Sequence, residues 1–146
     1  MNATIGLDTN ILVRYLVAPG DDPSERQQFV QAQSLIDSGQ PLMVCKTVLL
    51  ELEWVLRGFY RYSRADIGRA LGWLAEQAHI ELEDRATVEQ ALTNYTAGFD
   101  FADALHHASY AGCNRVASFD DRGFVRRSER LKLQPPVRLP GTRRSR

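Results

Sequence analysis

MNATIGLDTNILV, residues 1–13, decides how the rest of the chain is read. A mostly apolar, partly β-branched run at 3–7 has the character of a short buried strand. It ends on a carboxylate, Asp8, followed by the small polar pair Thr9 and Asn10 and then by a second apolar run. NILVRYLV at 10–17 reads as a helix stopped by Pro19-Gly20. Asp8 therefore has two readings. It caps the helix, as Asp commonly does, or it sits at a strand end because chemistry is done there.

Outward from this stretch, strands and helices alternate. Ser24 is the expected cap of a helix over about 24–38 closed by Gly39, and LMVC at 42–45 is the next strand. Thr47 is the expected cap of VLLELEWVLRGFY, and Ser63 caps a helix to about 77. HIEL at 79–82 alternates as a strand, and a helix over about 85–97 ends at Gly98. Asp100 caps FADALHHASYAG, which ends at Gly112. RVASF at 115–119 is a strand, Asp120-Asp121 opens a turn or short helix, and VRL at 137–139 suits an edge strand. This order predicts an α/β fold with a central parallel sheet and helices on both faces. Residues 1–139 are expected to form a single domain. Residues 140–146, in LPGTRRSR, are expected to be disordered, since the segment lacks apolar periodicity.

The 146 residues are enough for one domain with a real core, and 44% hydrophobic content is ordinary for a globular protein. Cys45 and Cys113 form no CxxC pattern, which speaks against a zinc site or a disulfide scaffold and suits a reducing cytoplasm. Asp8 and Arg14 interrupt the only N-terminal apolar stretch, so neither a signal peptide nor a membrane span is expected. The net charge of zero hides an asymmetry. Residues 1–121 carry 9 Lys+Arg against 17 Asp+Glu, whereas residues 122–146 carry 9 against 1. A basic C-terminal end points to a polyanion or to a solvated tail.

In parallel α/β sheets, sites form beyond the carboxyl ends of the strands. Asp8, Glu51, Asp103 and Asp120 are all expected there, each against a plainer alternative. Glu53 precedes Arg57 by four residues, the favourable order for a surface ion pair. Glu51 has Val48, Trp54 and Val55 as helical neighbours and no cation among them, which favours a functional role. Asp100 and Asp103 are spaced as a cap and a first-turn acid. Asp103 also shares a helix face with His107. His106 and His107 point about 100° apart and cannot easily share an ion, so both read mainly as structural. Asp120 directly follows its strand. Asp121 is a second candidate, and Ser118 alternates in phase with Asp120. Clustered carboxylates stay ionised only around a cation. All-oxygen ligands favour Mg²⁺ or Mn²⁺. Such an ion activates water and stabilises charge on phosphorus, so a phosphate ester is the implied substrate.

GLDTNILVRYL, LLELEWVLRGFY, FDFADALHHASYAG and RVASFDD, in this order, resemble the PIN-domain ribonucleases, and most of all the VapC toxins of type II toxin–antitoxin systems. The resemblance runs from about residue 3 to 125. It implies a PIN-like α/β/α sandwich and a Mg²⁺- or Mn²⁺-dependent endoribonuclease. Asp8 and Asp103 would be the principal metal ligands, with Glu51 and Asp120 completing the catalytic set. Asn10 and Ser118 match supporting positions. It further implies a homodimer, and a heterotetramer or larger assembly with a VapB-type antitoxin. Trp54, Phe59, Tyr60, Tyr62 and Trp73 suit an interface or the core. Arg122, Arg126, Arg127 and Arg130 suit RNA phosphates.

Three other readings compete. A haloacid-dehalogenase-type phosphatase needs a second acid two residues after the first, and Asn10 stands there. A binding-only PIN module is the second, although all four acids are present. A PIN nuclease of RNA processing is the third, with the absence of an appended module favouring the toxin.

Overall fold

Burial of alternating side chains sets the strands. In the computed structural model, which describes residues 3–141, Leu42 and Val44 are fully buried and Met43 between them is not. Ile80 and Leu82 repeat this alternation around exposed Glu81. The chain divides into two compact units, Met1–Val88 and Glu89–Arg146.

The first unit holds a parallel sheet of three strands in the order β1 (Ile5–Gly6), β2 (Leu42–Val44), β3 (Ile80–Leu82). Ile5 pairs with Leu42, and Leu42 with Ile80. Between the strands lie α1 (Thr9–Leu16), α2 (Pro23–Asp37), α3 (Lys46–Gly58) and α4 (Arg64–Glu76). Each turns an apolar stripe inward, with Leu12 from α1, Ile36 from α2, Leu52 and Leu56 from α3, and Ile67 and Leu74 from α4 all fully buried. Tyr15 of α1 donates its hydroxyl to Asp37 at 2.8 Å and stacks on Trp73 of α4 at 5.3 Å. Burial and the Asp37 carboxylate push the Tyr15 phenol up to about 12.

Two caps differ from expectation. Asp22, not Ser24, caps α2, because Pro23 starts the helix and the Asp22 carboxylate accepts the Ser24 amide. Cys45, not Thr47, is the N-cap of α3, with no side-chain cap bond; the Thr47 hydroxyl lies 3.2 Å from the Cys45 sulfur instead. Ser63 caps α4 as expected, accepting the Asp66 amide. Gly39 follows α2 with φ of 77°, a backbone region that favours glycine.

The boundary between units falls inside α5 (Arg85–Thr96). The second unit continues with α6 (Phe101–Ser109), β4 (Val116–Ala117), a wide π-type turn (Asp121–Val125), α7 (Arg126–Arg130) and β5 (Val137–Arg138). β4 and β5 pair in parallel, Val116 with Val137. RVASF and VRL are thus strands, but they form their own two-stranded sheet. All the strands are parallel, as the expected α/β fold requires, three in the sheet of the first unit and two in that of the second. α6 stops at Ser109, three residues before Gly112, because Tyr110 has already left helical geometry. Phe99 and Phe101 are fully buried. Phe99, His107 and Phe124 meet edge to face, with centroids 5.7–6.4 Å apart. His107 is buried and its Nε2 lies 2.8 Å from the Pro135 carbonyl oxygen, the structural role expected of it. The segment 142–146, most of the stretch expected to be disordered, lies outside the described residues.

Candidate active site

In the first unit, Asp8 follows β1 and is the N-cap of α1, its Oδ1 accepting the Thr9 amide at 2.8 Å. The capping reading is therefore realised, and the carboxylate also remains exposed to solvent. Asn10 is exposed in the first turn. Thr9 between them is buried, and among the described residues its hydroxyl is the buried side-chain polar atom left without a hydrogen-bond partner.

The two glutamates of α3 exchange environments relative to expectation. Glu53 does pair with Arg57, Oε2 to Nε at 2.8 Å, but its carboxylate is buried, with only 3% of the side chain exposed. It is not a surface residue. Its helix position belongs to the stripe of Leu49, Leu52 and Leu56. Glu51 is exposed rather than set on an apolar face, and Trp54, one turn on, is 62% exposed. Burial therefore gives no argument for Glu51; its accessibility does. Phe59 is 75% exposed, and Tyr60, Tyr62 and Trp73 are half-buried, so these aromatics are not core.

In the second unit, Asp103 of α6 lies within electrostatic reach of two further acids, Asp100 and Asp120. Asp100 caps the helix, its Oδ2 accepting the Asp103 amide at 3.0 Å. Asp103 is half-buried. Burial first, then the charges of Asp100 and Asp120, raise its carboxyl above the ordinary 3.8, while His106 and Arg127 pull the other way. Asp120 is tied down at both carboxylate oxygens: Oδ1 accepts the Gly123 amide and Oδ2 the Phe124 amide, each at 3.0 Å. The Ser118 hydroxyl accepts the Asp120 amide at 3.1 Å, so it shapes the backbone at that acid. Asp121 is exposed and begins the wide turn, donating its amide to the Phe119 carbonyl at 2.9 Å. Arg122, Arg126, Arg127 and Arg130 are all exposed.

The motif spacing gave Gly123 no role. A Cβ there would stand 2.8 Å from Oδ1 of Asp120 and 2.9 Å from its carboxyl carbon, so only glycine leaves room for this carboxylate. The signal in the sequence was the glycine three residues after the strand-end acid, at the spacing of a side-chain-capped turn.

The mutual repulsion at Asp103 is relieved by a proton or by a cation. The donors are all oxygen, which fits a hard divalent ion. Among the described residues, no three acid, histidine or cysteine side chains stand close enough to make a formed metal-binding group. The donor chemistry fits, and the set of ligands is not closed.

Parallel strands joined by helices define an α/β protein, and Asp8 and Asp120 each lie just beyond a strand end. The chain belongs to the PIN-domain family, whose model matches residues 5–129. PIN domains are typically metal-dependent nucleases. No curated protein and no solved structure matches the chain. Among the described residues, no helix is long and apolar enough to cross a membrane.

Proposed function

We propose that this protein is a Mg²⁺- or Mn²⁺-dependent endoribonuclease of the VapC toxin type, held in check by a VapB-type antitoxin. The observation that carries the nuclease reading is the acid crowding at Asp103 in a PIN-domain chain. A carboxyl that Asp100 and Asp120 both repel is a place where a cation is favoured. The acids proposed for catalysis and metal binding are Asp8, Glu51, Asp103 and Asp120, with Asn10, Ser118, Asp100 and Asp121 in support. A bound divalent ion lowers the pKa of a water and offsets charge on the phosphorus.

The chain's own contribution is placement. Asp120 is immobilised by two backbone amides and Ser118, and Asp100 fixes the start of the helix that carries Asp103. Arg122, Arg126 and Arg127 are exposed beside this segment, where cations attract phosphates. The exposed Trp54 and Phe59 support an apolar partner surface on the first unit, as a homodimer or an antitoxin complex requires. A PIN nuclease of RNA processing is the second reading, favoured by the same acids. Cytoplasmic action follows from either.

The test is cleavage of labelled structured RNA by purified, antitoxin-free protein with Mg²⁺, Mn²⁺ or EDTA. Metal-dependent cleavage lost in Asp8→Asn and Asp103→Asn is the expected result. Asn is as good a cap as Asp, so Asp8→Asn keeps α1 intact. Cleavage that persists in EDTA or in both variants overturns the reading. Growth arrest on expression, relieved by Asp103→Asn, separates toxin from processing enzyme.

A further inference from the structure

Phe119 is 86% exposed, more than Trp54, Phe59, Tyr110 or Val30, the other large hydrophobics that face solvent. Leaving a phenyl ring in water forgoes the stabilisation that burial would bring, and a loose loop would be the ordinary explanation. Here the backbone is tied on both sides. Ser118 donates its amide to the Arg138 carbonyl at 3.0 Å, extending the β4–β5 pairing, and the Phe119 carbonyl accepts the Asp121 amide. Ser118 Oγ holds the next amide, and Asp120 is held at both oxygens. The ring is thus presented on an ordered segment, one residue before an acid of the proposed site.

The chemistry around it selects a ligand. Arg122 and Arg126 are exposed on the turn and helix that follow, and neither joins an ion pair among the described residues. The second unit, residues 89–146, carries ten Lys+Arg against six Asp+Glu. An exposed apolar ring on a segment whose following turn and helix carry exposed arginines suits a molecule that is aromatic and anionic at once. A nucleobase with its phosphates is such a molecule, and only an unpaired base has a free face to offer.

We propose that Phe119 is a stacking platform for an unpaired base of single-stranded RNA, next to the phosphate on which the strand-end acids act. The inference rests on the nuclease reading and adds to it a positioning residue: the ring that holds the base beside the cleaved phosphate.

The experiment measures binding without cleavage. The full chain carrying Asp103→Asn is titrated into a fluorescein-labelled, unstructured RNA oligonucleotide, and into the same strand in a duplex, by fluorescence anisotropy. Phe119→Ala and Phe119→Trp are compared in that background, with thermal melts to check the fold. Alanine should weaken single-strand binding about tenfold, tryptophan should restore it, and duplex binding should not change. Equal binding by Phe119→Ala and its parent overturns the proposal. So does an equal loss for strand and duplex, or a parent that binds no single strand, as a ring reserved for a protein partner would give. Cleavage by the unmodified chain is read separately. Binding through Phe119 without cleavage fails the nuclease reading alone. Cleavage that Phe119→Ala leaves unchanged, with unchanged binding, fails the stacking alone.

Discussion

The backbone amide of Phe124 donates to Oδ2 of Asp120 at 3.0 Å, while the ring of the same phenylalanine is buried against Phe99 and His107. One residue therefore joins a proposed catalytic carboxylate to the core of its unit. His107 lies one helical turn after Asp103 on α6, so Asp103 and Asp120 stand over a shared apolar footing. Packing sets their spacing, and spacing sets their repulsion.

Phe124→Ala should cost about 3–5 kcal/mol of stability, the usual range for emptying a buried aromatic site. Urea unfolding followed by circular dichroism measures it. Cleavage should fall even where the variant remains folded, since the turn that holds Asp120 loses its anchor. A cost under about 1 kcal/mol would show that the turn does not depend on this ring.

Asp120→Ala leaves the amides of Gly123 and Phe124 without their acceptor, at a cost of about 1–2 kcal/mol. Gly123→Ala keeps the carboxylate but forces it aside, and the weakened bonds to the two amides are worth about 0.5–1.5 kcal/mol each. Both should lose metal-dependent cleavage, and both should melt lower. Full activity in Gly123→Ala would mean that the position of Asp120 is not critical.

Asp103 has a raised carboxyl pKa because of burial and then of Asp100 and Asp120. The folded chain thus binds this proton more tightly than the unfolded chain does. The stability that Asp103 contributes is highest at low pH, falls as pH rises from 3.8 through the raised folded value, and stays low above it. Asp103→Asn removes the penalty. Without divalent ions it should melt higher than its parent at pH 7, with the difference vanishing below the unfolded value. Melting curves of both proteins across pH decide this; a lower melting point for the variant at pH 7 contradicts the repulsion.

Glu53 and Glu51 should separate stability from activity. Removing the buried Glu53 carboxylate takes one partner from Arg57, and because Arg57 is more than half exposed the cost of Glu53→Ala should be about 1–3 kcal/mol. Exposed Glu51→Gln should change stability by less than about 0.5 kcal/mol while cleavage is lost. Thermal melts beside RNA cleavage test the pair, and the reverse pattern would place the working glutamate at 53.

Period and punctuation determined much of this protein. Alternation at 42–44 and 80–82, the cap at Ser63 and the acid before α1 are local signals, readable because backbone geometry repeats over a few residues. The four motif blocks identified the family by their order along the chain, and the match over 5–129 bears that out. Tertiary structure decided what depends on distant neighbours. It buried Glu53 and exposed Glu51, because the orientation of α3 over its sheet fixes which stripe meets the core. It divided the strands into two sheets, since pairing joins residues far apart in sequence. It also set the charge environment of Asp103, which arises only where α6 and the turn after β4 bring carboxylates within reach of each other, and no spacing along one chain contains that distance.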